Sequence, residues 1–296
     1  MARPRGTRHP LARVDGCSSI TPGDGAPRSR RVLRAACVVV IGLLSAIAPT
    51  AAGQVPSDWP LVELRQYTLH PGQRDVLISL FEAEFVESQE AVGMKVVGTF
   101  RDLDNPDRFV WIRAFRDMPS RAEGLNAFYS GPVWKAHGKA AATTMVDASN
   151  VLLLRDVRLG SGLVLDAPRP RQGASNGSSA LIVANIYYFE TDVEPSFVDF
   201  FERIVQPQLK AAGMTVLASF VSETAPNNYP RLPVRERDYV FTWLSRFADQ
   251  ADYERRLAAL INSREWKGVA DTLRPKLKSS PEVLRLQPTL RSHLRN

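Results

Sequence analysis

The sequence has very little cysteine and histidine. Both cysteines, Cys17 and Cys37, fall within the first 53 residues, as does one of the four histidines. The rest of the chain therefore has no thiol for a nucleophile, a disulfide, a cysteine-ligated zinc site or an iron–sulfur cluster. Phosphate-binding patterns such as Gly-x-Gly-x-x-Gly are also missing. We expect no metal site and no bound cofactor.

An excess of charge of one sign is also missing once the first 53 residues are set aside. Those residues hold eight arginines and two aspartates, so the formal net charge falls from +7 for the whole chain to +1 for the rest. A nearly neutral body has no electrostatic reason to bind nucleic acid or an anionic membrane surface. We expect neither partner.

The first 53 residues have the pattern of an export signal. Arginines precede an apolar run over 35–48, and small residues follow at 51–53. A run of about 14 residues suits a secretory signal peptide and is short for a membrane span, which needs about 20. Ser29-Arg-Arg-Val-Leu33 also resembles a twin-arginine signal. We predict a periplasmic or secreted protein with no membrane span after cleavage. The alternative is a body anchored by an uncleaved leader.

The rest of the chain repeats itself. Residues 61–100 align on 181–220 at an offset of 120, and 111–135 align on 243–267 at an offset of 132. Four of the five tryptophans fall into two matched pairs, Trp111 with Trp243 and Trp134 with Trp266. Solenoid repeats are much shorter, at roughly 20–50 residues, so each copy should be a small domain.

Each copy has the predicted order strand, helix, strand, strand, helix, strand, from period-two and helical spacing of its apolar residues. This is the βαββαβ order of the ferredoxin-like sandwich, an α+β fold with two helices on one face of a four-stranded sheet. The second copy has 12 more residues between its middle strands. We divide the body into a first module over 60–157, a flexible linker over 158–179, a second module over 180–288 and a tail over 289–296.

The open sheet face of each module should be covered. A bare apolar face of several hundred Å² is not tolerated on an isolated soluble domain, so we expect the modules to pack sheet to sheet as a pseudo-dimeric α/β barrel. Modules that do not touch are the alternative. The sequence leaves open whether the barrel closes within one chain or between chains, and whether the protein forms homo-oligomers.

The candidate site residues of the first module lie on its first and third strands. Glu63, Arg65 and Tyr67 share one strand face, and Trp111 and Arg113 share another. If these faces point away from the helices, they line the space between the modules. Arg65 would then offer a donor to an anion or carbonyl, and Glu63 would be a weak candidate for a catalytic base. The alternative is a solvated Glu63–Arg65 pair at a rim, with the aromatic residues in the core.

The second module keeps only part of this set. It has Tyr187 and Trp243 at the matched aromatic positions, but Val183 and Asn185 replace the glutamate and arginine of the first strand. Any site that uses the charged pair should therefore be single and asymmetric.

Four segments together resemble one known family. They are Val62-Glu-Leu-Arg-Gln-Tyr-Thr-Leu-His-Pro-Gly72, Gly93-Met94, Trp111-Ile-Arg-Ala-Phe115 and Tyr129-Ser-Gly-Pro-Val-Trp-Lys135. In order and spacing they are similar to the NIPSNAP family over about 60–156, and the second module matches more loosely. The resemblance implies a ferredoxin-like fold of the dimeric α/β-barrel type. Related barrels include cofactor-independent monooxygenases and haem enzymes, whereas NIPSNAP proteins are mostly described as binding or scaffolding proteins.

Three functional hypotheses follow. The first is an exported NIPSNAP-type protein that binds a small apolar or aromatic ligand between its two sheets, through Arg65, Tyr67, Trp111, Arg113, Tyr187 and Trp243. The second is an enzyme, either a cofactor-independent monooxygenase or an isomerase with Glu63 as its base. The third is a non-catalytic protein-interaction module whose barrel is filled with side chains.

Overall fold

The computed structural model describes residues 57–165, 167–175 and 177–295. The predicted leader therefore lies outside the described residues. None of the described helices is long and apolar enough to cross a membrane.

The described part of the chain contains nine strands, six longer helices and one 3-10 turn, Arg274–Lys276. The strands are β1 Leu61–Leu69, β2 Lys95–Asp102, β3 Arg108–Phe115, β4 Met145–Asp147, β5 Val151–Asp156, β6 Leu181–Phe189, β7 Val216–Ser222, β8 Tyr239–Phe247 and β9 Glu282–Pro288. Helix α1 combines α-helical Arg74–Leu80, a π-helical turn Phe81–Phe85 and α-helical Val86–Glu90; α4 likewise combines Pro195–Phe200, π-helical Phe201–Val205 and Gln206–Ala211. The others are α2 Met118–Ser130, α3 Pro132–Ala142, α5 Gln250–Asn262 and α6 Arg264–Leu273.

Eight of these strands close into an antiparallel barrel within one chain. Their order is β3-β2-β9-β6-β8-β7-β5-β1, and β1 pairs back with β3, while the short β4 extends the edge of β1. Strands β1–β5 and their helices form the first half, and β6–β9 with theirs form the second. The halves are joined edge to edge, where β2 pairs with β9 and β5 pairs with β7. The predicted α/β barrel is confirmed in this form.

The barrel interior is a packed core. One cluster of buried apolar side chains draws on all eight barrel strands, and includes Val62, Leu64, Phe100, Ile112, Leu154, Ile186, Phe220, Val240 and Leu284. The prediction of a ligand space between the two sheets is therefore wrong, because side chains fill the barrel interior. Strand alternation could not decide which face pointed inward, since both faces of β1 are buried, one by the barrel and one by helices.

The helices cover the outside of the barrel and enclose two further cores, one in each half. In the first half Asp117 caps α2: its carboxylate accepts a hydrogen bond from Ser120 N at 2.7 Å, and Ser120 Oγ accepts one from Asp117 N at 3.0 Å. The helical region then breaks at Gly131, as the Ser-Gly-Pro sequence predicts, and α3 places Trp134 against Phe85, Phe128 and Tyr129.

The linker and the tail pack more closely than the sequence predicts. Leu163 belongs to the barrel core, and Arg169 donates to Glu90 Oε1 at 2.7 Å. These residues of the segment 158–179 are therefore packed on the barrel and the first half, in contrast to the flexible linker predicted. The tail returns to the first half, where Leu294 N donates to Val97 O at 2.9 Å and Arg291 Nη1 donates to Glu82 O at 2.7 Å. These hydrogen bonds join residues that are far apart in the sequence, so the composition of the segments could not predict them.

Candidate functional site

A buried charge cluster lies between the sheet and the helices of the first half. The Glu63 carboxylate accepts hydrogen bonds from Arg65 Nη1 at 2.6 Å, from Arg113 Nη2 at 2.5 Å and from Arg121 Nε at 2.7 Å. Glu63 and the three arginines are each at most 1% exposed. Antiparallel pairing produces the core of this cluster, because Glu63 lies opposite Arg113 in the β1–β3 register. One carboxylate thus faces three guanidinium groups, which leaves two formal positive charges.

The π-helical turn in α1 supports the cluster. This turn displaces the helical hydrogen bonds, and Ser88 and Gln89 donate side-chain hydrogen bonds to the carbonyl oxygens of Glu84 and Phe85 at 2.5 and 2.9 Å. Gln89 Oε1 then accepts a hydrogen bond from Arg113 Nη1 at 3.0 Å. The distorted helix therefore fixes the guanidinium of Arg113.

The long loop between β7 and β8, in the second half, also binds the charge cluster. Arg121 Nη1 donates to Asn228 Oδ1 at 2.6 Å and to Asn227 Oδ1 at 3.1 Å. In return Asn228 Nδ2 donates to Met118 O at 2.5 Å, at the start of α2. Nearby, Tyr229 stacks on Tyr129 with ring centroids 6.0 Å apart. The 12 additional residues of the second half therefore cover the site of the first half.

Electrostatics keep the cluster ionised. Burial raises the pKa of Glu63, but Arg113, Arg65 and Arg121 outweigh it and hold that pKa well below its usual range. Burial lowers the pKa of Arg65, yet Tyr67 and Glu63 raise it above its usual value. Aromatic faces replace the lost water: the guanidinium of Arg113 lies 5.0 Å from the ring centre of Trp111, and that of Arg65 lies 5.5 Å from it.

A cavity of about 210 Å³, called the first cavity here, adjoins this cluster. Its polar lining consists of Arg65, Gln89 and the two tyrosines Tyr67 and Tyr129, with the indole of Trp111 beside them. Arg65 Nε donates to Tyr67 Oη at 2.9 Å, so the hydroxyl proton of Tyr67 is directed elsewhere. The remaining walls are apolar: Leu77, Phe81, Phe85, Phe128, Trp134, Ala142, Met145, Ala148 and Leu232.

A second cavity of about 480 Å³ occupies the matching place in the second half. Tyr187 and Trp243 line it, together with Asn185 of β6 and residues of α5 and α6. Tyr187 is 4% exposed, and this burial raises its pKa to about 12. Each half therefore has a space between its sheet and its helices.

The predicted ligand residues are consequently divided between two places. Arg65, Tyr67 and Trp111 line the first cavity, Arg113 lies behind it, and Tyr187 and Trp243 line the second. They do not meet between the sheets, because their strand faces point to the helices. Glu63 and Arg65 do pair, but in full burial and not as a solvated pair at a rim.

Glu63 is also a poor general base in this structure. Its two oxygens are held by three arginines, its pKa is lowered, and it does not line either cavity. A base must reach the substrate proton and have a pKa near the working pH. The isomerase hypothesis with Glu63 as its base is therefore contradicted by this environment.

Comparison with known proteins identifies the domain that carries this site. Residues 62–157 match the family model NIPSNAP. Residues 62–157 are a NIPSNAP domain. The matched segment includes Glu63, Arg65, Arg113 and Arg121 of the charge cluster, and the resemblance seen in the sequence is confirmed.

Solved structures similar to this chain include NIPSNAP proteins and an anthrone oxidase-like protein. A NIPSNAP family protein with unknown function from Agrobacterium tumefaciens is 23% identical, with 36% of this chain and 95% of that chain covered at a TM-score of 0.32. An uncharacterized NIPSNAP domain protein from Burkholderia xenovorans is 18% identical, with coverage of 31% and 88% and a TM-score of 0.28. An anthrone oxidase-like protein is 14% identical, with coverage of 79% and 92% and a TM-score of 0.49. No curated protein matches the chain.

Several residues of the site were not found from the sequence. Gln89 depends on the π-helical turn, and Arg121, Asn228 and Tyr129 depend on how α2 and the long loop meet. The Glu63–Arg113 pair had a signal in the sequence, because both residues lie near the middle of adjacent antiparallel strands. Among the described residues, no group of three or more His, Cys, Asp or Glu side chains could hold a metal ion.

Proposed function

We propose that the NIPSNAP domain binds a small aromatic anion, such as an aromatic carboxylate, in the first cavity. The observation that carries this proposal is the excess of buried positive charge beside an aromatic cavity. Three guanidinium groups share one carboxylate, and Arg65 borders the open space. An anion placed there would reduce the uncompensated charge, which is costly in a desolvated site.

The cavity offers mainly hydrogen-bond donors. Arg65 cannot accept a hydrogen bond, and the oxygen of Gln89 already receives one from Arg113. Burial raises the pKa of Tyr129, outweighing the lowering effect of Arg113, so its hydroxyl keeps its proton at neutral pH. Arg65, Tyr67 and Tyr129 can thus all donate to one oxyanion. In the part of the chain that the structure describes, no Asp, Glu or His lines this cavity, so a ligand should arrive already ionised.

The size of the cavity favours a ligand with one ring. At about 210 Å³ it is smaller than the roughly 300–1,000 Å³ that is usual for drug-sized ligands. Phe81 contacts Trp111 with ring centroids 4.8 Å apart, and Tyr129 contacts Trp134 at 4.7 Å, both edge to face. Such rings stack well on another aromatic ring. Benzoate is therefore a suitable probe.

The test compares benzoate with benzamide, its neutral analogue. Isothermal titration should give saturable binding of benzoate and at least tenfold weaker binding of benzamide. Arg65→Gln should weaken benzoate binding at least tenfold, because it removes the charge that lines the cavity. Arg101→Gln, on the surface at β2, is the matched control and should leave binding within twofold. Equal affinity for the two compounds, or unchanged benzoate binding in the folded Arg65→Gln protein, would overturn the proposal.

Two further parts of the proposal concern organisation and location. The order strand, helix, strand, strand, helix, strand recurs in both halves, and each first helix has a π-helical turn at the matched place, Phe81–Phe85 and Phe201–Val205. This supports a second, diverged NIPSNAP-like ferredoxin module over 180–288. Export rests on the leader pattern alone. Fractionation of cells that express the full chain would test it, since export predicts a shortened protein outside the cytoplasm.

The other two hypotheses gain no specific support. No residue in the lining of the first cavity can take a proton at neutral pH, so an enzymatic step has no assigned base. The filled barrel fits an interaction module, but it does not argue against ligand binding, because both cavities lie outside the barrel.

A further inference from the structure

The second cavity differs from the first in chemistry as well as in place. In the β6–β8 register Val183 lies opposite Ser245, where the first half has Glu63 opposite Arg113. Asn185 lies opposite Trp243, where the first half has Arg65 opposite Trp111. The charged members of these pairs have thus all been replaced by uncharged ones.

The replacement extends to the helices. The sequence alignment places Leu209 at the position of Gln89 and Tyr253 at the position of Arg121. Both residues line the second cavity. Five members of one network, four of them charged, have therefore changed together, and none of their replacements carries a charge. An open space lined by neutral side chains stands where the first half has its ion cluster.

The space left by these changes is larger. The second cavity has about 480 Å³, within the usual range for small-molecule sites, compared with about 210 Å³ in the first half. Trp134 is in contact with the rings of Phe85, Phe128 and Tyr129, whereas among the described residues Trp266 contacts no other ring. The indole of Trp266 is half-buried and faces the cavity.

The polar groups that line the cavity are neutral, apart from one exposed arginine at its mouth. Among the described residues the amide of Asn185 has no hydrogen-bond partner, so it is free to donate to or accept from a ligand. The one charged residue that lines the cavity, Arg274, is 79% exposed at the mouth and pairs with Asp271 at 3.6 Å. An anion that entered would lose its hydration without meeting a buried cation.

We propose that the second cavity is a separate binding site for a neutral, largely aromatic compound of two or more rings, held by Trp243 and Trp266 and oriented by Asn185. This site is independent of the anion site, so each proposal can fail alone. The two halves of one barrel then bind two classes of compound, one anionic and one neutral.

The test uses N-phenyl-1-naphthylamine, a neutral probe whose fluorescence rises in apolar surroundings. The full-length protein should bind one equivalent saturably, and a saturating concentration of benzoate should not displace it. Ala270→Phe, on α6, fills the second cavity and should weaken probe binding at least tenfold. Ala142→Phe is the matched substitution in the first cavity and should leave probe binding within twofold while it weakens benzoate binding.

A second variant shows whether weaker probe binding comes from the cavity or from misfolding of Ala270→Phe. Trp266→Ala removes one wall of the cavity from a half-buried position, and should also weaken probe binding tenfold with near-native circular dichroism. Absence of saturable probe binding by the folded wild-type protein would overturn the proposal. So would displacement of the probe by benzoate, or an effect of Ala142→Phe equal to that of Ala270→Phe.

Discussion

At the scale of single residues, Glu63 is the one anion among the described residues that the three arginines of the cluster share. Glu63→Gln keeps the shape and removes the charge, so we expect a loss of about 3–5 kcal/mol in the free energy of unfolding, as for other broken buried ion pairs. Chemical denaturation at pH 7 would measure it. Glu84→Gln, at a half-exposed carboxylate on the same helix, is the control and should stay within about 0.5 kcal/mol. A similar small effect at Glu63 would mean that the cluster does not stabilise the fold.

The lowered pKa of Glu63 also predicts how the stability of the protein responds to acid. Its pKa in the folded protein lies below the unfolded value of 4.5. The contribution of the ionised carboxylate is therefore fully present above about pH 4.5, and is lost as the pH falls toward the lower folded value. Unfolding measured from pH 6 down to pH 3 should show this loss in the wild type, and a smaller slope in Glu63→Gln. Parallel slopes would contradict the assignment.

Asp156, at the end of β5, should behave in the opposite way. Burial raises the pKa of its carboxyl from 3.8 to about 7, and Oδ1 has no hydrogen-bond partner among the described residues. Since the folded pKa is the higher one, the wild type should lose stability as the pH rises from about 4 to about 7. Asp156→Asn should remove this slope and stabilise the protein at pH 8 by about 1–2 kcal/mol, a value reduced for partial exposure. Urea unfolding of the wild type and of Asp156→Asn at pH 5 and pH 8 would measure this difference. If the substitution stabilised the protein equally at both pH values, titration of Asp156 would be ruled out as the cause.

At the scale of elements, the sequence predicts most of the secondary structure but not its distortions. Helix α2 begins where Asp117 and Ser120 can cap it and ends before Gly131, because short-range chemistry fixes both ends. The π-helical turn of α1 is different. It leaves no local signature, yet it brings Gln89 to Arg113, so the helix side of the site could not be predicted.

The long loop between β7 and β8 belongs to the second half but forms part of the first cavity, which the sequence did not predict. Asn228 links it to Arg121 and to the start of α2, and Leu232 forms part of the cavity wall. Asn228→Ala should lower stability by about 1–3 kcal/mol, because the buried guanidinium of Arg121 loses one of its acceptors, and it should weaken benzoate binding. Thermal unfolding and titration would measure both effects. Asn126→Ala, on the exposed side of α2, is the matched control, and an equal response of the two variants would refute this role of the loop.

At the scale of the whole molecule, the repeat predicts two similar halves and the barrel follows from their open sheet faces. The position of the site does not follow, because each strand of a barrel wrapped by helices is buried on both sides. Arg65 and Leu64 are almost equally buried, at 1% and 2% exposure, yet Leu64 belongs to the barrel core and Arg65 lines the first cavity. The register of β1 with β3 and β5, and the packing of the helices on the outside of the barrel, decide which residue of β1 faces the barrel interior and which faces a ligand space.

The closed barrel also predicts that the two halves unfold together. Leu64 of the first half and Leu244 of the second belong to one interior core, and β2–β9 and β5–β7 pairings tie the halves at both edges. Leu64→Ala and Leu244→Ala should each cost about 2–5 kcal/mol and should each lower the midpoint of one and the same calorimetric transition. Val76→Ala and Ile204→Ala, at half-exposed helix positions of the two halves, are the controls and should shift it little. Two separate transitions, of which each core substitution moved only one, would mean that the halves are independent domains.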